Sequence, residues 1–178
     1  MSAGRPIQLP LGIKLRDEAT FASYYPGPNA GVLAATQAFA EPQSSVEECC
    51  LYLWGSEGTG RTHLLQAACH ALADVGGLAM YLPLDELADE GPLLLEGMES
   101  VDLLCLDKLE AVAGRPDWEE ALFHLYNRLR EQGGRLLVAA VAAPRALGLQ
   151  LPDLASRLGW GLVFQLQPLE DAGKQEVL

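Results

Sequence analysis

The run Gly55-Ser56-Glu57-Gly58-Thr59-Gly60-Arg61-Thr62 follows directly on the apolar stretch Cys50-Leu51-Tyr52-Leu53-Trp54, and it constrains the fold more than any other part of the chain. It has the form of a phosphate-binding loop, G-x-x-x-x-G-K-[ST], with Arg61 in the place of the usual Lys. Such a loop needs glycines so that successive backbone N–H groups curl around a phosphate, and a helix N-terminus to add its partial positive charge. Gly55, Gly58 and Gly60 supply that freedom around Thr59, and Thr62 brings the hydroxyl that faces Mg²⁺ in such loops. The planar fork of Arg61 binds phosphate but does not duplicate a point-charge ammonium.

A loop of this kind demands a strand before it and a helix after it, and the rest of the chain continues the alternation. The sequence predicts strands over 49–54, 78–82, 101–106, 135–141 and 161–166, each a short apolar run bounded by turn residues. Helical patterns fall at Ala30 to Phe39 with Asn29 as its N-cap, and at Thr62 to Leu72. A further helix covers Trp118 to Arg130, apolar at 118, 122, 125 and 129 with a charged opposite face. Leu84 to Met98, broken around Gly91-Pro92, reads as an interrupted helix, and 144–147 and 154–158 as short ones. The expected fold is therefore α/β, a three-layer P-loop NTPase domain with a mostly parallel five-stranded sheet.

A length of 178 residues with 49% hydrophobic content suits one domain with a sizeable core. The balance of 12 Lys+Arg against 24 Asp+Glu gives a net charge of -12, which opposes unaided binding to the DNA backbone and argues against direct sequence-specific DNA recognition. There is no apolar run of membrane-spanning length and no secretory leader pattern, so the expected compartment is the cytoplasm. Cysteines 49, 50, 69 and 105 form no CxxC and have no His at zinc spacing, so reduced residues and no metal site are expected.

Asp107 closes the third predicted strand as the acid of a second nucleotide-site motif would, although an Asp at a strand end is also a common turn former. Lys108 follows it where many ATPases carry a second carboxylate, and Glu110 is displaced along the chain. The fourth strand ends in Ala139 to Ala143, with no side chain able to orient water or donate to a γ-phosphate. Arg157, among apolar neighbours, reads either as an ordinary surface residue or as an arginine finger for a neighbouring molecule's site. Gln8, Leu9 and Leu11, in the Pro-broken tail 1–14, read either as plain tail or as a short linear motif.

The blocks at 20–27, 51–55, 60–69, 81–84, 122–128 and 151–158 resemble the Hda-like regulators, AAA+ proteins related to the bacterial replication initiator DnaA. The similarity runs from about Ile7 to Leu178. The resemblance implies an AAA+ domain over 15–167, with 168–178 opening a linker to a lid subdomain. It implies bound ADP, with or without Mg²⁺, contacted by Tyr25, Pro26, Gly55, Gly58, Thr59, Gly60, Arg61, Thr62, His63 and Asp107. It further implies attachment to the DNA polymerase sliding clamp through Gln8, Leu9 and Leu11, and an Arg157 finger that stimulates hydrolysis of ATP held by DnaA. The expected role is a negative regulator of replication initiation, nucleoid-associated through the clamp and without intrinsic ATPase activity; a homodimer is a further option. The competing expectation is an AAA+ ATPase acting as an initiator-like protein or helicase loader.

Overall fold

Strands that are apolar at nearly every position need cover on both faces. The computed structural model, which describes residues 14–42 and 47–168, provides it. Strands β1 (Cys50–Trp54), β2 (Ala79–Pro83), β3 (Leu103–Asp107), β4 (Arg135–Ala140) and β5 (Leu162–Gln165) form one parallel sheet in the order β2-β3-β4-β1-β5. Side chains alternate between two cores. Leu51, Leu53, Leu103, Cys105, Leu137 and Ala139 face helices α1 (Ala30–Phe39) and α2 (Arg61–Asp74). Cys50, Tyr52, Leu104, Leu106, Leu136 and Val138 face α3 (Leu84–Leu87), α4 (Pro116–Glu131) and α5 (Pro152–Trp160). The expected three-layer α/β fold is what the chain adopts, here with every strand pair parallel.

The differences from expectation have local causes. The interrupted helix is the four-residue α3 followed by 3₁₀ turns at Ala88–Glu90, Pro92–Leu95 and Met98–Ser100. Gly91, at φ 90°, and Pro92 prevent a continuous helix there. The segment after β4 makes only the 3₁₀ turn Pro144–Ala146. Helix α4 starts two residues before Trp118 because Pro116 suits the first helical position, and Asp117 and Glu119 then fall in the positive first turn.

Asn29 precedes α1 but makes no capping hydrogen bond. Its buried carboxamide instead accepts from the Gln167 N–H at 2.7 Å and donates to the Gln167 carbonyl at 2.9 Å. The residue expected to cap a helix thus ties the segment before α1 to the chain leaving β5. Of the four thiols, Cys50, Cys69 and Cys105 are buried, Cys49 is half-buried, and all are free. Burial pushes the Cys50 thiol well up, so it stays protonated. No helix among the described residues is long and apolar enough to cross a membrane. Gln8, Leu9 and Leu11, together with 169–178, lie outside the described residues.

Candidate functional site

In a parallel sheet the carboxyl ends of the strands share one edge of the molecule, and the loop after β1 emerges there. Gly55 continues the β1 ladder by donating its N–H to the Ala140 carbonyl at 3.2 Å. The loop then turns through two left-handed glycines, Gly58 at φ 80° and Gly60 at φ 91°. Thr59, buried between them, closes the turn by donating its hydroxyl to the Ser56 carbonyl at 2.8 Å. The Tyr24 phenol donates to the Thr59 carbonyl at 3.3 Å, and its ring lies so close that a Cβ on Gly60 would stand 2.5 Å from Tyr24 Cε2. The segment before α1 therefore braces the back of the loop. His63, in the first turn of α2, adds a second brace through Nε2, 2.7 Å from the Thr20 carbonyl, which places the ring proton on that nitrogen.

Thr62 and Asp107 meet across the sheet edge. The Thr62 hydroxyl donates to Asp107 Oδ2 at 2.6 Å, and the Tyr81 phenol, from β2, donates to the same oxygen at 2.7 Å. Burial, and then the charge of Asp107, push the Tyr81 phenol up, so it remains a donor. A buried carboxylate beside a threonine hydroxyl offers hard oxygen ligands suited to Mg²⁺.

Past Asp107 the chain does something that the sequence pattern did not convey. Lys108 is the one non-glycine residue among those described with positive φ, at 57°, and its ammonium turns away to Asp85 at 3.0 Å. That left-handed residue reverses the chain into the 3₁₀ turn Leu109–Ala111 and swings Glu110 back over the loop. Glu110 Oε1 accepts the Val141 N–H at 3.0 Å and stands 3.8 Å from Arg61 Nη1. Glu110 is therefore displaced in sequence but present in the site. Burial raises its carboxyl above the ordinary range, with the Arg61 guanidinium working in the opposite direction. Arg61 itself is only 8% exposed, and its Nη1 lacks a hydrogen-bond acceptor among the described residues. An orphaned, buried guanidinium nitrogen above a glycine cradle fits an anionic oxygen supplied from outside the chain.

These groups surround a pocket of about 630 Å³. Of the predicted contacts, Gly58, Gly60, Arg61, Thr62 and His63 line it. Gly55, Thr59 and Asp107 lie buried behind its wall and hold the loop. Tyr25 and Pro26 sit before the 3₁₀ turn Gly27–Asn29 and do not line it. Arg157 also lies outside it, on α5, its guanidinium 4.1 Å over the ring of the exposed Trp160. Helix α5 is aimed by a residue on the flank of the apolar stripe of α4. Glu119, 1% exposed, accepts the N–H groups of Gln150 and Leu151 at 2.8 Å each and that of Gly114 at 2.7 Å.

Comparison with known proteins agrees with this architecture. A family model described as the bacterial DnaA ATPase domain matches residues 88–165. Domain III of the Thermotoga maritima replication initiation protein DnaA superposes with a TM-score of 0.81 at 23% identity, over 93% of this chain and 73% of that one. AMPPCP-bound DnaA from Aquifex aeolicus gives 0.76 at 26% identity, over 87% of this chain and 52% of that one. The DnaC helicase loader shares the fold at 0.65 and 18% identity, over 85% of this chain and 98% of that one. The chain thus spans about half the length of the Aquifex initiator.

Proposed function

We propose that the chain is a DnaA-related AAA+ protein that holds a nucleoside diphosphate without turning over a triphosphate, and that it acts in replication initiation by regulating DnaA; the match to the bacterial DnaA ATPase domain and the shared fold support this. The observation that carries this reading is the contrast within one pocket. The cradle is complete: Gly58 and Gly60 are left-handed, Arg61 is buried with a free nitrogen, and Thr62 meets Asp107. The usual hydrolytic arrangement is missing: Lys108 replaces the second acid and is paired away to Asp85, the displaced Glu110 accepts the Val141 N–H, and β4 ends in alanines. Electrostatic and water-positioning groups account for most of the acceleration of phosphoryl transfer, so a site without them retains nucleotide and leaves it intact.

ADP, when bound, would supply the diphosphate that Arg61 and the loop amides neutralise, and Thr62 and Asp107 are the residues that would hold Mg²⁺. The role of Arg157 is to offer its charge to ATP held by DnaA, with Gln8, Leu9 and Leu11 holding the protein on the sliding clamp. The acidity of the chain supports this division of labour, since a net charge of -12 leaves DNA association to a partner.

The experiment has two arms. Denaturing the purified chain and identifying the released nucleotide tests the pocket, with ADP as the expected product. DnaA-bound ATP is then followed with clamp-loaded DNA and either the natural chain or Arg157→Ala. The natural chain accelerates hydrolysis and the variant does not; undiminished stimulation by the variant would remove the finger. Turnover by the chain alone would favour the loader-like ATPase reading.

A further inference from the structure

We propose that Glu110 makes this pocket select a nucleoside diphosphate over a triphosphate, by holding a carboxylate between Arg61 and the end of β4, where a third phosphate would otherwise be drawn. The inference rests on the nucleotide reading of the pocket and adds the residue that sets its preference.

The geometry is specific. In phosphate-binding loops the basic residue before the Thr reaches the outer phosphates. Here that residue is Arg61, and the oxygen facing its Nη1 at 3.8 Å belongs to Glu110. The same oxygen accepts the Val141 N–H at 3.0 Å, the first amide beyond β4. A carboxylate oxygen thus lies between the basic group and the end of β4. The separation from Arg61 exceeds hydrogen-bond length, so the guanidinium nitrogen remains available to another acceptor while feeling the carboxylate charge.

Charge around the pocket points the same way. Arg16, Arg61 and Lys108 line it against Glu57, Asp85 and Glu110, three cations and three carboxylates. Lys108 is already engaged by Asp85 at 3.0 Å. The lining therefore carries no net positive charge to set against the added charge of a terminal phosphate, and Glu110 is the carboxylate paired with Arg61, the cation that would have to meet it. Like charges at short range in a partly desolvated site oppose each other far more strongly than in water. A general-base role for Glu110 is the other reading of a carboxylate in such a place, and it predicts triphosphate turnover by the natural protein that Glu110→Gln abolishes.

The test uses the full chain freed of carried nucleotide. Fluorescent ADP and ATP analogues are titrated at pH 7.5 with Mg²⁺ held constant, for the natural protein, Glu110→Gln and Glu110→Asp, with a thermal melt of each. The natural protein binds the diphosphate more tightly. Gln keeps an acceptor for the Val141 N–H and removes the charge, so the triphosphate-to-diphosphate affinity ratio rises by on the order of tenfold. Asp, shorter but still charged, falls between. An unchanged ratio in a folded Glu110→Gln protein overturns the proposal, as does parallel loss of both affinities, which would make Glu110 a support for the loop. Equal affinities in the natural protein overturn it while leaving the nucleotide site standing. Binding of neither analogue to the natural protein removes the nucleotide reading itself, and this inference with it.

Discussion

The Thr62 hydroxyl donates to Asp107 Oδ2 at 2.6 Å, joining the first turn of α2 to the end of β3 across 45 residues of chain. Tyr81 donates to the same oxygen, so one buried carboxylate satisfies two hydroxyls before any ligand arrives. An acid at this place therefore has a structural duty besides any metal-binding one, and the two can be separated. Asp107→Ala orphans the buried Tyr81 phenol, at a cost of about 1–3 kcal/mol, while the half-buried Thr62 hydroxyl can turn to solvent. Asp107→Asn keeps an acceptor oxygen for both and should unfold near the natural urea midpoint. Mg²⁺-dependent nucleotide affinity should fall in both variants. An Asn variant with natural affinity in the presence of Mg²⁺ would show that the carboxylate serves the fold alone.

Gly60 gives a second separation of effects. It has φ 91°, and a Cβ there would meet Tyr24 Cε2 at 2.5 Å, whereas Gly58, at φ 80°, faces open space. Both alanine variants incur the left-handed cost of roughly 1–2 kcal/mol. Only Gly60→Ala must also displace a ring that packs against the loop and bonds the Thr59 carbonyl. Its melting temperature should fall further than that of Gly58→Ala, and the Tyr24 ring resonances should shift more in that variant than in Gly58→Ala.

The strands were legible in the sequence because a parallel sheet covered on both faces needs uninterrupted apolar runs, and Leu103 to Leu106 or Leu136 to Ala140 cannot be read as anything half-exposed. The pairing of Thr62 with Asp107 was legible for a related reason: loop and strand end are fixed by the same sheet. Glu110 was not, because its place depends on one left-handed backbone at Lys108, a conformation that lysine does not advertise. Asn29 carried the right residue type for a cap, and the competing offer came from Gln167, 138 residues away, which no local rule can see. Glu119 lies on the flank of the apolar stripe of α4, where periodicity leaves a side chain's burial open, and three backbone N–H groups arriving from two loops decide it.

That burial makes Glu119 a sensitive position. Its two oxygens are both acceptors, with Gln150 and Leu151 on Oε1 and Gly114 on Oε2. Glu119→Gln must turn an NH₂ toward at least one amide hydrogen, leaving a donor facing a donor. A loss of about 1–3 kcal/mol in chemical denaturation is expected. Because the affected amides lead into α5, hydrogen exchange should quicken over 150–155 while the strands stay protected. Uniform loss of protection across the sheet would show that Glu119 holds the whole domain and not that helix in particular.

Glu110 should reveal itself in the pH dependence of stability. Its carboxyl is raised from the ordinary 4.5 by burial, which outweighs the opposing pull of Arg61 from α2; the Asp107 charge from β3 adds to the rise. Tyr52, on β1, is itself pushed up by burial and by Glu110, so its phenol stays neutral and adds no charge in this range. A carboxyl with a raised folded value favours the folded state most when protonated. Its contribution is complete below the unfolded value and is lost as pH rises through the folded one. Glu110→Gln cannot ionise and keeps its acceptor for Val141. The melting temperature of the variant relative to the natural protein should therefore climb as pH rises from about 4.5, then level off once Glu110 is fully ionised. The same measurement tests the balance of forces directly. A variant that loses ground as pH rises would mean that attraction to Arg61 exceeds the cost of desolvation, and Glu110 would then be a partner that Arg61 needs rather than a charge the fold tolerates in order to keep a third phosphate out.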